Sequence, residues 1–447
     1  MTISVPSCVY DIQNFGAVND GETINTVAIT QAIETCSEAG GGTVYIPAGE
    51  CLTGAVILKS NVHLYIEAGA ILKFTTDINA YPIVNSRWEG TEQEVYASCI
   101  YAENVENVSI TGHGTIDGNG AFWWEVFRRK ENQYPRPKLV SFDSCKRVII
   151  SGLKMINSPS WTVNPICCED VTVNLVTIVN PPDSPNTDGI NPESCRNVRI
   201  SDCHIDVGDD CIAIKAGTEA TDKRIPCENI TITNCTMIHG HGGIVLGSEM
   251  SGDIRNVTVS NCVFEGTDRG IRLKSRRGRG GVIEDIRINN IVMNRVICPF
   301  IANLYYYCGP RGKDQFVSDK KPYPITEETP VFRRIHFSNI TAREVSAAAG
   351  FFFGLAEKYV EDVTFNQVSV AMANDAEPGL PAMMEGLEPM KQVGFYCSNV
   401  KDMIFNQVIV SNHKGPAFCI ENAIGIEIKD CSSRTEEPNL YVMKNVK

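Results

Sequence analysis

The stretch Asn229-Ile230-Thr231-Ile232-Thr233-Asn234-Cys235 returns 27 residues later as Asn256-Val257-Thr258-Val259-Ser260-Asn261-Cys262. In both copies β-branched apolar residues alternate with polar ones, and an asparagine and a cysteine follow. Alternation with a period of two is the pattern of a strand that buries one face. The two copies are identical at four of seven positions and differ elsewhere only by Ile/Val and Thr/Ser exchanges, so they predict strands that recur once per coil of a solenoid.

The same pattern occurs throughout the chain. Other copies begin at Asn107, Arg147, Asp170, Asn197, Asp285, Arg334 and Asp362. Most consecutive copies are 23 to 32 residues apart, and the two longer steps, of 40 and 49 residues, leave room for inserted loops. Stacked strands at this period predict an all-β parallel β-helix rather than a helical repeat.

Residues at equal offsets within the copies should stack into vertical ladders, because successive coils lie about 4.8 Å apart. One offset holds Cys145, Cys168, Cys195 and Cys227, and another holds Cys203, Cys235 and Cys262. We interpret these thiols as core residues rather than as metal or redox sites. A third offset holds Asn234, Asn261, Asn290 and Asn339, which we expect at a bend, where each amide bonds the backbone of the next coil.

The start of the chain differs from the repeats. A short apolar helical pattern between Asn25 and Ala39 precedes the glycine-rich segment Gly40–Pro47. A helix here would cap the first coil and shield its core from water. No linker is visible, so we predict a single domain over residues 1–447. About residues 1–100 would form the cap and first coils, and about residues 101–447 the remaining coils and a C-terminal cap.

Composition restricts the function. The 447 residues are 43% hydrophobic and 21% charged, as expected of a folded globular protein. The net charge of −13 argues against a nucleic-acid partner, and no apolar run reaches the roughly 20 residues of a membrane span. The eighteen cysteines and the lack of a recognisable export signal at the start predict a reducing, cytoplasmic location, or a secreted one if a leader has been removed.

Four segments interrupt the strand pattern with polar residues. They are Asn186-Thr187-Asp188, Gly208-Asp209-Asp210, Gly240-His241-Gly242 and Arg272-Leu273-Lys274. Aligning the isoleucines at positions 190, 212, 244 and 271 places these segments on consecutive coils. Three carboxylates, one imidazole and two cations would then lie within a few coils of one another.

Such a cluster has two interpretations. A calcium site is one, but calcium cages do not normally include a histidine and two cations. The other is an acid/base site, since stacked carboxylates perturb one another's protonation. We favour the second interpretation and predict neither a metal nor a cofactor.

The four segments, in this order, resemble the motifs of the polygalacturonase family of glycoside hydrolases. The resemblance also covers Phe15-Gly16-Ala17 and the segment Gly40–Pro47. It implies a right-handed parallel β-helix and an enzyme that hydrolyses α-1,4-linked galacturonan or its oligomers with inversion. It also implies a pectic saccharide as the partner. The oligomeric state is left open.

The resemblance also implies residue roles that the chemistry supports. Asp209 would be the general acid, and Asp188 and Asp210 would activate water. His241 would tune or orient Asp209. Arg272 and Lys274 would bind the sugar carboxylate. We expect further substrate contacts from Asn186, Arg276 and Tyr305, where any ring of the run Tyr305–Tyr307 is a candidate.

Alternatives remain within the fold. A rhamnogalacturonan or substituted-galacturonan hydrolase would carry the same acids. A pectate lyase would need calcium and a basic catalyst, and a non-catalytic carbohydrate-binding β-helix would not need all three aspartates. Segments 76–98 and 118–138 exceed what a plain coil needs and carry Trp88, Trp123 and Trp124. We expect these insertions to close one end of the cleft and favour exo action.

Overall fold

The computed structural model describes residues 8–447, which form two compact units, residues 8–209 and residues 210–447. The first residues of the chain, on which the expectation about an export signal depends, lie outside the described part. Among residues 8–447, no helix has the length and apolarity to cross a membrane.

The first unit consists of parallel strands with two α-helices. The helices are α1 (Thr26–Glu38) and α2 (Ala121–Arg128). The strands are β1 (Val9–Asp11), β2 (Asp20–Ile24), β3 (Gly42–Ile46), β4 (Gly49–Thr53), β5 (Val56–Ile57), β6 (Val62–Ile66), β7 (Ala70–Phe74), β8 (Ile83–Trp88), β9 (Thr91–Tyr96), β10 (Ile100–Glu103), β11 (Glu106–Gly112), β12 (Thr115–Asp117), β13 (Val140–Asp143), β14 (Lys146–Ser151), β15 (Lys154–Ile156), β16 (Val163–Ile166), β17 (Glu169–Asn174), β18 (Thr177–Val179), β19 (Arg196–Ser201) and β20 (His204–Val207).

These strands stack into three parallel sheets, so each coil has three sides. One sheet runs β1-β3-β6-β11-β14-β17-β19 and the second β2-β4-β7-β12-β15-β18-β20. The third runs β5-β10-β13-β16 and continues through bridges to Ile190 and Glu193. The antiparallel hairpin β8–β9 is the exception to the parallel pattern.

The second unit repeats this architecture with longer strands. Its short helix is α3 (Gln315–Ser318). Its strands are β21 (Ile212–Ile214), β22 (Cys227–Thr233), β23 (Thr236–His239), β24 (Ile244–Gly247), β25 (Ile254–Glu265), β26 (Arg269–Lys274), β27 (Val282–Asn294), β28 (Cys298–Asn303), β29 (Val331–Val345), β30 (Ala348–Phe353), β31 (Val360–Met372), β32 (Val393–Ser411), β33 (Lys414–Lys429), β34 (Ser432–Arg434) and β35 (Tyr441–Val446).

The strand register agrees with the sequence repeat. In the first unit Val108 pairs with Val148, and Val148 with Val171. In the second unit Ile286 pairs with Ile335, so the 49-residue step is a coil with an inserted loop, as expected. The parallel β-helix predicted from the period is therefore confirmed in each unit. The expectation of one continuous domain stays a prediction.

The interior ladders also agree with the sequence. The cysteines at the two ladder offsets are buried, and none of the eighteen cysteines forms a disulfide. Helix α1 buries its apolar face, including Ile29 and Ile33, and packs against β1 and β3 of the first coils. The cap predicted from the sequence is thus present.

The asparagine ladder differs in one respect from the expectation. Asn234, Asn261, Asn290 and Asn339 have φ angles of 53 to 56°, the left-handed conformation that turns the chain at a corner. Their amides bond side chain to side chain, however. Asn290 Nδ2 donates to Asn261 Oδ1 at 2.6 Å, and Asn339 Nδ2 donates to Asn290 Oδ1 at 3.2 Å. The asparagine amides therefore form a ladder of side-chain hydrogen bonds from coil to coil.

Candidate active site

Asp188 lies in a tightly bonded turn of the first unit, between β18 and the bridge at Ile190. It is 3% exposed and accepts a hydrogen bond from Asn191 Nδ2 at 2.9 Å. Its backbone carbonyl accepts from the Thr162 N–H at 2.8 Å, which joins the turn to the neighbouring coil. Asp188 is therefore held in one position by side chain and main chain together.

Arg136, which the sequence reasoning missed, supports this turn. It is 1% exposed and donates to two backbone carbonyls and, at 2.7 Å, to Asn186 Oδ1. Burial lowers the pKa of Arg136 to about 10, although Glu89 and Asp188 oppose the shift, so the guanidinium remains charged at neutral pH. Asn186, expected to bind substrate, is thus held by Arg136. No sequence motif marks Arg136, which lies in a proline-rich loop.

Asp209 follows β20 and approaches Asp188. Carboxylate oxygens of the two residues lie within 4.8 Å of each other, and Asp209 is half-buried. Gly208 permits this approach, because a Cβ atom there would lie 2.5 Å from the Ser184 carbonyl oxygen. The Gly208 N–H also donates to Thr187 Oγ1 at 3.3 Å. The first unit therefore presents two neighbouring carboxylates, as the motifs predicted.

Asp210, the first residue of the second unit, lies between two cations. Lys274 Nζ is 2.7 Å from its Oδ2, and Arg272 donates to its Oδ1 at 3.4 Å. Burial alone would raise the pKa of the Asp210 carboxyl, but Lys274, Arg272 and Lys215 together hold it well below its usual range. The lowered pKa favours an ionised Asp210 at neutral pH, and two cationic side chains engage its oxygens.

The register of the second unit explains this contact. Ile212 pairs with Ile244, and Ile244 with Ile271, as aligned from the sequence. Along β26 the buried Ile271 and Leu273 alternate with Arg272 and Lys274, so the two cations share the other face of the strand. Both side chains converge on Asp210 for this reason.

His241 lies exposed in the turn between β23 and β24. The next residue, Gly242, packs beside Asp210. A Cβ atom at position 242 would lie 2.5 Å from Val245 Cγ2 and 3.3 Å from Asp210 Oδ1. Glycine is needed here because of close packing.

The aromatic run lies near the same cations, but with a different residue in contact. The Tyr306 ring centroid is 5.5 Å from Arg272 Cζ and 5.3 Å from Lys274 Nζ. Tyr305, the ring named from the sequence, is 1% exposed and packs edge-on against Phe353. Alternation along the chain turns the two rings to opposite sides, which the run of three tyrosines did not reveal.

Three arginines follow β26 closely, and they do not form an open positive patch. They are Arg276, Arg277 and Arg279. Arg276, expected to bind substrate, is 0% exposed and donates to Glu219 at 2.6 Å. Arg279 donates to the same carboxylate at 2.8 Å. Arg277 makes a bidentate pair with Glu357 at 2.6 and 2.9 Å. Through Glu219 and Glu357 these arginines hold loop segments against the coils. The observed contacts of Arg276 are therefore structural.

A second buried ion pair was also missed. Lys215 Nζ lies 3.1 Å from Glu249 Oε2, and both side chains are nearly buried. Burial would raise the pKa of the Glu249 carboxyl, but Lys215, Arg279 and Lys274 lower it to about 2. Lys215 also acts on Asp210, so this pair belongs to the electrostatic surroundings of that acid.

The hairpin β8–β9 is anchored to the coil next to the one that carries Asp188. Trp88 stacks on Trp161 with ring centroids 5.3 Å apart, and Thr162, the next residue, bonds the Asp188 carbonyl. Lys138 Nζ also donates to the Arg87 carbonyl oxygen at 2.8 Å. The expected insertion 76–98 is therefore a fixed structure beside Asp188.

The other expected insertion, 118–138, contributes differently. It contains α2, whose Trp123 and Trp124 are buried, and Trp124 Nε1 donates to the Ser158 carbonyl oxygen at 2.9 Å. These tryptophans therefore pack the insertion onto the coils.

Comparison with known protein families matches residues 36–378 to Glycosyl hydrolases family 28. The chain belongs to this family. The predicted resemblance to polygalacturonases, the enzyme class and the fold class, a right-handed parallel β-helix, are confirmed. The roles of single residues stay predictions.

Individual relatives agree with the family. A probable polygalacturonase of Vitis vinifera is 32% identical over 437 residues, which cover 94% of this chain and 85% of the relative. The crystal structure of an exopolygalacturonase from Thermotoga maritima is 31% identical with a TM-score of 0.73, covering 90% and 92% of the two chains. The family 28 exopolygalacturonase of Yersinia enterocolitica, at 23% identity and a TM-score of 0.75 over 99% and 79% of the chains, supports the fold alone.

Proposed function

We propose that this family 28 hydrolase cleaves α-1,4-linked galacturonan or oligogalacturonides from a chain end, with inversion, and releases galacturonic acid. The observation that carries the proposal is the Asp210 carboxylate, which Lys274 and Arg272 hold ionised. An ionised carboxylate can accept a hydrogen bond from the attacking water and take up its proton as the new bond to carbon forms. The name of the Thermotoga relative supports the mode of attack.

The three aspartates divide the acid and base roles. Asp210 is kept ionised by its cations, and Asp188 accepts a hydrogen bond from Asn191, which favours the charged form. Both are therefore assigned to the attacking water. Asp209, half-buried and close to Asp188, is assigned to protonate the leaving oxygen. The exposed His241 would orient or tune Asp209.

Arg272 and Lys274 would serve the substrate as well as Asp210. A uronate carboxylate arriving beside Asp210 can share these cations, since a guanidinium and an ammonium each offer several donors. Tyr306 replaces Tyr305 as the aromatic residue that we assign to this subsite, because its ring touches both cations. Asn186 and Arg276 would act through the turns that they hold, not by contact with sugar.

The carboxylate spacing needs a separate test of stereochemistry. Asp188 and Asp209 oxygens within 4.8 Å are nearer than the roughly 6.5–9.5 Å usual between the two carboxyl groups of inverting enzymes. Inversion requires the water to attack the anomeric carbon from the side opposite the leaving oxygen. In the proposal Asp188 and Asp210 hold the water on that side. Proton NMR of the first-formed anomer decides whether the reaction inverts.

Exo action follows from the hairpin β8–β9. A wall fixed beside Asp188 by the Trp88–Trp161 stack limits how far a polymer can extend in that direction. The sugar at the cleavage point would then lie near a chain terminus. Release of galacturonic acid from polygalacturonate without intermediate oligomers tests this, and an early ladder of oligomers would contradict it.

A second candidate is a hydrolase of substituted galacturonan, which includes rhamnogalacturonan among the open alternatives. A polar cavity beside the hairpin, described below, favours substituents over a bare chain. Comparing initial rates on unsubstituted, xylose-substituted and rhamnose-containing pectic oligomers separates the two candidates.

We also propose a reducing, cytoplasmic location, with a pectic saccharide as partner and neither nucleic acid nor membrane bound. The support is the stack of buried cysteines in the core, none of which forms a disulfide. Cys145 N–H, for example, donates to Cys168 Sγ of the next coil at 3.4 Å. Many cysteines without a disulfide among residues 8–447 are typical of a reducing compartment, where disulfides are rare. Thiol titration of denatured protein from its native source should find all eighteen groups reduced.

A further inference from the structure

A cavity lies in the first unit, apart from Asp188 and Asp209. It has a volume of about 320 Å³, within the usual range for small-molecule pockets. The hairpin β8–β9 forms one wall, and the ends of β13 and β16 form the floor. The residues that matter to its chemistry are Asn85, Arg87, Glu92, Gln93, Asp143 and Ile166.

The cavity is separate from the cleavage point. Thr162, whose N–H bonds the Asp188 carbonyl, precedes β16, whereas Ile166 at the cavity ends that strand. At about 3.3 Å per residue, the four residue steps from Thr162 to Ile166 place the cavity about 13 Å farther along the coil. A group bound here would therefore lie beyond the sugar that is hydrolysed.

The electrostatics of the cavity differ from those around Asp210. Its charged residues are Glu92, Asp143 and Arg87, so the formal charge of the lining is negative. Arg87 is buried and engaged, since its Nε donates to Glu92 at 2.8 Å and its NH1 to Ser194 Oγ at 3.0 Å. A uronate would meet two carboxylates here and no uncommitted guanidinium, so the cavity disfavours the acidic sugar of the main chain.

The remaining polar groups suit a neutral polyol. Gln93 and Asn85 expose amides that can donate and accept, and Asp143 offers a half-buried carboxylate steadied by Ser86 at 3.1 Å and Ser144 at 2.9 Å. Adjacent hydroxyls of a sugar can donate to a carboxylate and accept from an amide at once.

Thiol chemistry is a poorer match for this cavity. Cys167 also lines it, and burial raises the pKa of its thiol to about 11, with Arg87 opposing the shift and Asp143, Glu193 and Glu92 adding to it. The thiol is therefore neutral at ordinary pH, whereas nucleophilic and metal-binding cysteines are thiolates.

We propose that this cavity is a binding site for a neutral sugar carried by the substrate, such as a pentose or hexose substituent of the galacturonan chain. The link to a substrate rests on the proposed function, whereas the binding of a neutral sugar does not. The site would select substituted oligomers without taking part in the chemistry.

The direct test is binding of free sugars, measured by saturation-transfer NMR and titration with xylose, galactose and galacturonate. We expect millimolar dissociation constants for one or both neutral sugars and at least about tenfold weaker binding of galacturonate at this site. Gln93→Trp, which fills the cavity from an exposed strand position, should abolish neutral-sugar binding. Glu94→Trp, one residue along and outside the lining, is the matched control and should retain it.

An active-site variant separates the two sites. Asp209→Asn should bind neutral sugars as the wild type does, since Asp209 does not line the cavity. Absence of saturable neutral-sugar binding, equal binding of galacturonate at this site, or equal losses in the Gln93 and Glu94 variants would each overturn the proposal. If the wild type binds neutral sugars but releases no galacturonic acid from galacturonan, the proposed function fails and the binding site stands.

Discussion

Lys274 Nζ lies 2.7 Å from Asp210 Oδ2, while Arg272 reaches the other oxygen of the same carboxylate at 3.4 Å. Both side chains project from one face of β26, and the acid is 1% exposed. A buried carboxylate keeps its charge only when it is paired, and here the pairing exceeds the cost of burial. The same cations therefore lower the pKa of Asp210, and in the proposed function they would also attract an acidic sugar.

This pairing predicts a change in the pH profile. In the wild type the pKa of Asp210 is lowered, so the base is lost only as pH falls through a low value. Lys274→Gln removes the nearest cation and should move the acidic limb of kcat/KM upward by about one unit or more. The control is Lys313→Gln, an exposed lysine of an inserted loop. An unmoved limb would show that Asp210 is not the base seen in the profile.

Asp209→Asn should remove most turnover, because the leaving oxygen loses its proton donor while the side-chain volume is kept. We expect kcat to fall about 10²–10⁴-fold with KM little changed. Asp206→Asn, on the strand that precedes the site, is the control. A loss of less than about tenfold in kcat would exclude Asp209 as the acid.

The two cations can be tested on charged and uncharged substrate. Arg272→Gln and Lys274→Gln should raise KM more for galacturonan than for its methyl ester, which carries no charge. Each lost charge-assisted contact is worth roughly 1.5–3 kcal/mol, or about 10- to 150-fold in kcat/KM. If the cations serve only Asp210, both substrates lose equally, so a ratio of losses near one rejects the carboxylate-binding role.

The Lys215–Glu249 pair predicts a pH-dependent stability. The pKa of Glu249 is lowered from 4.5 to about 2, so its contribution is complete above pH 4.5 and is lost as pH falls toward 2. The shift corresponds to about 3 kcal/mol. Glu249→Gln should therefore lower the free energy of unfolding by about this amount at neutral pH and by much less near about pH 2, as measured by urea unfolding.

The control for Glu249 is Glu228→Gln, which breaks a partly exposed pair with Arg255 on the outer surface. We expect it to change the free energy of unfolding by less than about 1 kcal/mol at any pH. Equal effects of the two variants would mean that the buried Lys215–Glu249 pair contributes no more to the free energy of unfolding than an exposed pair does.

The hairpin predicts the product profile. Replacing Trp88-Glu89-Gly90-Thr91 with Asn-Gly keeps a two-residue turn but removes the stack on Trp161. We expect the wild type to release galacturonic acid with little loss of polymer viscosity, and the shortened hairpin to release longer oligomers and lower viscosity faster. Trp124→Phe, inside the packed α2, is the control. An unchanged product profile after shortening would mean that another part of the chain selects the terminus.

Much of the fold and of the site was predictable, because in a solenoid residues at equal offsets in the sequence repeat lie above one another in space. Once the repeat was aligned, Ile212, Ile244 and Ile271 had to stack, and Arg272 and Lys274 had to share a face. The cysteines at equal offsets had to meet in the core. Alternation along a strand and repetition between strands suffice for these conclusions.

Tertiary structure decided which charges remain available. Arg272 and Arg276 look alike in one basic run, yet the first reaches Asp210 and the second pairs with Glu219, 57 residues away in the chain. Arg277 likewise pairs with Glu357, 80 residues away. Trp88 of the hairpin β8–β9 stacks on Trp161, 73 residues farther along the chain. The repeating coils and the order of the acids were predictable from the amino-acid pattern because they depend on local periodicity. The partners of inserted loops depend on long-range contacts, which no sequence period encodes.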